Sequence, residues 1–154
     1  MLTRDSSLNE RWKYQCDGSV ISVSATPNCS LITAATVGRR VYLFTSDGEV
    51  VWVTPTLDHE CWSTAISSDG SVVAVGTANK KPADGTIYVF DARGESIFTK
   101  RLDAPVWSVS LSHDGSVLAA TCWNGKAYKY IRTHNGYKAG GEFNGKNSQG
   151  LYGI

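Results

Sequence analysis

The chain of 154 residues has no apolar run near the roughly 20 residues that cross a bilayer, so membrane insertion is not expected. Its N-terminus, MLTRDSSLNERW, lacks the apolar core of a secretory signal. Net charge is nearly absent as well: 15 Lys and Arg against 14 Asp and Glu leave +1, so no long-range field gathers nucleic acid. Cysteines are few. Cys16, Cys29, Cys61 and Cys122 show neither CxxC spacing nor a histidine ladder beside them, and read as reduced, mostly buried small hydrophobes. That tilts the expected compartment toward the cytoplasm over the cell surface. His59, His113 and His134 fall in turns with no ligand set around them, which makes them surface histidines and leaves no metal site. No GxSxG, HExxH or phosphate loop occurs, and no carboxylate pair recurs, so neither catalysis nor a cofactor is expected. Asn28-Cys29-Ser30 matches a glycosylation acceptor, a tripeptide common enough to arise by chance.

What the chain does have is a globular balance, 42% hydrophobic and 19% charged, and a repeat. The run Ser19 to Thr36 (SVISVSATPNCSLITAAT) aligns with Glu60 to Thr77 (ECWSTAISSDGSVVAVGT) and with Pro105 to Thr121 (PVWSVSLSHDGSVLAAT). Ser30, Ser71 and Ser116 are equivalent and stand 41 and 45 residues apart, the difference fitting an insertion at Asn79 to Asp84. A third run follows each: VYLF, IYVF and AYKY, fixed by Tyr42, Tyr88 and Tyr128. A fourth run closes on an aromatic, seen at Trp12, Trp52, Phe98 and Phe143.

Each unit is therefore four short strands, a to d, joined by hairpins. Asp69-Gly70 and Asp114-Gly115 link a to b, Asp84-Gly85 and Asn124-Gly125 link b to c, and Asp47-Gly48 and Asn135-Gly136 link c to d; such pairs suit the positive φ angles of primed hairpin turns. The first unit departs at Asn28-Cys29 and at Val37-Gly38-Arg39-Arg40. NERW (Asn9 to Trp12) reads as an opening d strand and LYGI (Leu151 to Ile154) as the start of a new a strand. A tail over 1–7 and an incomplete repeat array over 8–154, with units at about 19–53, 60–100 and 105–143, complete the division.

Strand b is apolar or small on both faces (LITAA, VVAVG, VLAAT), so each sheet packs between two neighbours. Units of this size stacked face to face make a ring or an array, and the ring, an all-β propeller of four-stranded antiparallel blades, leaves the fewest open edges. The segment VWSVSLSHDGSVLAA resembles WD-repeat propeller blades, and VYLFTSDGEVVW and IYVFDARGESIF resemble quinoprotein-type blades, in which a turn glycine precedes a docking tryptophan. The blend is similar to WD-repeat and quinoprotein-like (PQQ-like) propeller proteins of archaea and bacteria, over about residues 8 to 154. No unit carries the Gly-His before strand a or the Trp-Asp after strand c of standard WD repeats, so the buried hydrogen-bond tetrad of that family is expected to be missing.

The resemblance implies three blades of a ring that needs at least four, hence either a fragment of a longer propeller or a homo-oligomer. It also implies that b-to-c and d-to-a loops share one binding face. There the sequence puts Arg39, Arg40, Lys80, Lys81 and Lys126 against Asp58, Glu60 and Asp103, an alternating charge pattern that would orient a protein or peptide partner. Trp62 and Trp107, with Tyr152, share one strand-a position and would crowd the mouth of the central channel, where packing between blades is the plainer alternative; Trp123 ends strand b near a loop. Trp12, Trp52 and Phe98, on the outermost strand, read as docking aromatics. The leading expectation is a non-enzymatic scaffold that binds a protein or peptide through the loop face. A structural or cell-surface self-assembling protein is the alternative, and a quinone-cofactor dehydrogenase fragment a remote one.

Overall fold

Alternation of apolar and polar residues between Gly-centred turns makes strands, and in the computed structural model, which describes residues 10–145, twelve strands and no helix form. The first sheet holds β1 (Val20–Ala25), β2 (Leu31–Thr36), β3 (Val41–Thr45) and β4 (Val50–Val53). The second holds β5 (Glu60–Ile66), β6 (Val72–Lys80), β7 (Ala83–Asp91) and β8 (Ser96–Leu102). The third holds β9 (Val106–Leu111), β10 (Val117–Cys122), β11 (Lys126–Thr133) and β12 (Gly136–Asn144). Every sheet is an antiparallel meander in sequence order, so the expected all-β blade architecture is what forms.

The blades stack through their inner strands. β5 lies against β1 and β2 of the first blade and against β9 of the third. In the middle blade Val72 to Ala78 are buried without a break, because that strand has a neighbour on each face. β10 keeps Leu118 and Ala120 buried and leaves Ala119 exposed. Leu43, Ile87 and Leu118 are among the largest fully buried side chains, and each contributes about 1.5–3 kcal/mol of transfer free energy.

The turns differ from the primed type expected. Seven hairpins repeat one pattern, a backbone bond from the fourth residue to the first: Cys29 to Thr26, Arg39 to Thr36, Gly48 to Thr45, Gly70 to Ser67, Gly94 to Asp91, Gly115 to Ser112 and Gly125 to Cys122. In all seven the donor has positive φ. The Asp or Asn before the glycine does not, so the turn needs one left-handed residue rather than the two of a type I′ turn. The Asp does other work: Asp114 Oδ1 accepts from Ser112 Oγ (2.8 Å) and Ser116 N (2.9 Å), and Asp69 Oδ1 accepts from Ser67 Oγ (2.7 Å) and Ser71 N (3.0 Å).

Asp84-Gly85 is not a turn. The insertion lengthens β6 and β7 into a hairpin that reverses at Lys81-Pro82, and places Asp84 within β7, paired across from Asn79. The opening strand expected at NERW is also not formed over its described part: Glu10 to Trp12 have no ladder partner. Trp12 nevertheless sits where a fourth-strand aromatic belongs. Its Nε1 donates to Ser46 O (2.9 Å) as Trp52 Nε1 donates to Ala92 O (3.2 Å), each two residues before a turn glycine. A Cβ on Gly48 would come within 2.5 Å of Trp12, and one on Gly94 within 3.0 Å of Trp52, so the ring can lie on the turn only because these are glycines. Phe98 packs instead on Tyr130 and Tyr137, and Phe143 is 60% exposed. LYGI, with Tyr152, and the 1–7 tail lie outside the described residues.

Candidate functional site

Each inner strand carries one extra residue near its start. Ser22 pairs with Ala35 and Val20 with Thr36, leaving Ile21 unpaired; Trp62 is skipped in the same way between Cys61 and Ser63, and Trp107 between Val106 and Ser108. A bulge turns its side chain out of the pleat. It aims Trp62 and Trp107 at each other, with ring centroids 5.5 Å apart and planes at 75°. Trp123, just past the end of β10 and held by a bond from its N to Pro105 O (3.0 Å), completes the group. It stacks on Trp107 at 5.7 Å and 21° and meets Trp62 edge-on at 5.7 Å and 86°. Trp62 and Trp107 are half-buried and Trp123 is 42% exposed, so the cluster is packed below and open above.

Charged loops surround it. Trp62 Nε1 donates to Glu60 Oε2 (3.1 Å), and the Lys80 ammonium stands 5.5 Å from the Trp62 ring centroid. Lys80 and Glu60 also line a cavity of about 400 Å³ with Arg39, Asp58, His59, Ala78 and Asn79. The lengthened β6–β7 hairpin is what carries Lys80 and Asn79 to it. Tryptophan cluster and cavity are thus one continuous surface that joins Arg39, Asp58, Glu60, Trp62, Lys80, Trp107 and Trp123.

The remaining sequence candidates go elsewhere. Arg40 is tied to Asp17 at 3.3 Å, and Lys81 stands exposed at the hairpin tip. Lys126 turns sideways to Glu142 (2.9 Å) and, with Asp103, lines a separate cleft of about 640 Å³ between β8, β11 and β12. Glu142 first by hydrogen bond and then by charge raises the Lys126 pKa above the usual lysine value.

Beneath the cavity lies a polar cluster that corrects one expectation. His59 is not a surface histidine: its side chain is 17% exposed, with Nε2 3.3 Å from Asp84 Oδ1 and 3.6 Å from Asp58 Oδ2. Asp58 Oδ2 accepts from Thr86 Oγ1 (2.6 Å), Asp58 Oδ1 from Thr77 Oγ1 (3.4 Å), and Arg101 donates to Asp84 Oδ2. Burial works to raise the Asp84 carboxyl, but the Arg101 hydrogen bond and the His59 and Arg101 charges outweigh it and hold it below the usual carboxylate range. A polar cluster of His59, Asp84, Asp58, Thr77 and Thr86 therefore sits in the middle blade, but His59 Nε2 and Asp84 Oδ1 are buried without a hydrogen-bond partner, so it is not the hydrogen-bonded tetrad whose absence the sequence registers. Asp58-His59 directly precedes β5, the place of the Gly-His pair, and that was the available signal.

Two cysteines fit the expected core role: Cys61 and Cys122 are buried, and desolvation, with Asp58 and Asp103 respectively adding to it, pushes each thiol up to about 12. Cys16 is intermediate and Cys29 exposed. Thr121 Oγ1, like His59 Nε2 and Asp84 Oδ1, is buried without a hydrogen-bond partner.

The family model described as WD domain, G-beta repeat matches residues 53–91 and 95–130. No curated protein sequence matches the chain. A crystal structure of the RRP9 WD40 repeats is similar in fold, with a TM-score of 0.72 and 18% identity over 88% of this chain; the match spans 42% of that chain. In fold, the chain is a set of four-stranded antiparallel blades similar to those of a WD40-repeat β-propeller.

Proposed function

We propose that this chain is a non-enzymatic scaffold that binds a protein or peptide on the face bearing Trp62, Trp107, Trp123 and the Arg39–Lys80 cavity. The observation that carries the reading is the convergence itself: three inner-strand bulge and loop-end tryptophans meet, half-open, beside charged loops from two blades. Large rigid rings ringed by polar groups are the composition of binding hot spots, where burying an aromatic yields affinity at low entropic cost. WD40 folds generally serve as protein-interaction scaffolds, which points the same way. A net charge of +1 gives no support to nucleic acid as the partner. No helix among the described residues is long and apolar enough to span a membrane.

The test is a titration of peptides selected on the purified protein from a random heptapeptide display library. Trp123→Ala is expected to weaken binding by about 2 kcal/mol, near thirtyfold, while Trp52→Phe on the outer strand leaves it unchanged. Equal affinity of Trp123→Ala and the parent would remove this face as the site. A second reading, self-association of copies, is favoured by the open apolar ends: Val20, Ile21 and Val23 on β1 and Phe143 on β12 are exposed. The glycine-docked tryptophans Trp12 and Trp52 likewise support the quinoprotein-like component of the blades.

A further inference from the structure

The cavity beside the tryptophans contains two carboxylates and two cations, yet their hydrogen-bonding capacity is unevenly used. Asp58 already accepts from Thr77 and Thr86 and faces His59, and Glu60 accepts from Trp62 Nε1. Arg39 makes one long bond, 3.4 Å from Nη1 to the Asp58 carbonyl, and Lys80 makes only its contact with the face of Trp62. Among the described residues neither cation has a carboxylate partner. A guanidinium has five donors and an ammonium three, so both cations keep most of their donors for an acceptor brought from outside.

Arg39 supplies a second, independent observation. It holds φ at 63°, in the turn position that Gly48, Gly70, Gly94, Gly115 and Gly125 occupy in five other hairpins. A glycine there would take the same backbone shape without strain. At that position this chain carries a guanidinium instead, and it lines the cavity.

Resting on the peptide-binding reading above, we infer that the preferred partner segment is acidic: a carboxylate seats between Arg39 and Lys80 while an adjacent aromatic or apolar side chain lies on Trp62, Trp107 and Trp123. Charge-assisted bonds from Arg39 and Lys80 satisfy the carboxylate at the edge of the tryptophan cluster, and such bonds are about twice as strong as neutral ones. Lys80 reaches the carboxylate from its place over Trp62, so anchoring of the charge and stacking of the neighbour are coupled.

Selection from a random heptapeptide display library on the 154-residue protein tests this by composition. The expected result is enrichment of Asp or Glu beside an aromatic or aliphatic residue. The double variant Arg39→Glu, Lys80→Glu, both side chains being exposed, is expected to reverse the preference to Lys or Arg, with an unchanged circular dichroism spectrum and thermal midpoint confirming the fold. Enrichment of Lys or Arg by the parent, or of peptides with no charge bias whose binding Trp123→Ala still abolishes, would overturn the acidic inference and leave the binding face intact. Enrichment that neither the double variant nor Trp123→Ala alters, or no enrichment at all, would overturn both.

Discussion

Arg39 shows how one residue carries both a cost and a use. An L side chain in the left-handed region costs about 1–2 kcal/mol, of which glycine's greater unfolded-state freedom returns about 0.5–1. Arg39→Gly is therefore expected to raise stability by up to about 1 kcal/mol, measured by urea denaturation, while removing the guanidinium from the cavity. A lower denaturation midpoint for the variant would mean that the Arg39 side chain contributes packing beyond its bond to Asp58. Cys29 holds the same conformation at φ 55° and, being exposed, lines no described cavity; nothing in the structure explains why it is not glycine. Neither residue's backbone was legible in the sequence. Departures from Asp-Gly marked those two loops as different, but positive φ at a non-glycine residue follows from how strands on either side pair, not from the residue itself.

At the scale of elements, strands and their order were readable because hydrophobic alternation and turn glycines recur in each unit. The turn type was not. Asp-Gly suits either a two-residue primed turn or a glycine preceded by a hydrogen-bonding Asp, and the choice rests on whether Ser112 and Ser116, or Ser67 and Ser71, bond to the carboxylate. The bulges at Trp62 and Trp107 were equally hidden: their equivalence was visible, but an unpaired residue within a ladder leaves no mark on composition. The β6–β7 insertion was located and its turn misplaced by three residues, because Asp84-Gly85 has the composition of a turn while the Asp84 side chain is wanted below by His59 and Arg101.

These elements set a pH profile. Asp69 and Asp114, held low by hydrogen bonds from Ser67 and Ser116 foremost, join Asp84 below the usual carboxylate range. A carboxyl lowered in the folded state stabilises fully above its unfolded pKa of about 3.9 and loses that contribution as pH falls through its folded value. On the alkaline side, burial raises Cys61, Cys122, Tyr88 and Tyr130 to about 12, so their contribution is complete below the unfolded pKa and is lost as pH rises toward 12. Stability by chemical denaturation is expected to be flat between about pH 4 and 8.5 and to fall on both sides; a maximum confined to one side of that window would contradict the assignment.

For the whole molecule, stacking of the blades divides the tryptophans into two populations with different duties. Trp12 and Trp52 lie on turn glycines at the outer strands, their Nε1 atoms donating to the Ser46 and Ala92 carbonyls, and they fasten the N-terminal segment to the first blade and the first blade to the second. Trp62 and Trp107, at the bulged starts of β5 and β9, gather with Trp123, just past the end of β10, where the second and third blades meet. The most direct measurement uses that division: protein labelled with ¹⁵N at the tryptophan indoles gives one Nε1–H resonance for each of its five tryptophans. On addition of a selected acidic heptapeptide, the Trp62, Trp107 and Trp123 resonances are expected to shift together and saturably while those of Trp12 and Trp52 stay in place. Shifts confined to Trp12 and Trp52, or none at peptide concentrations that saturate binding, would contradict the account.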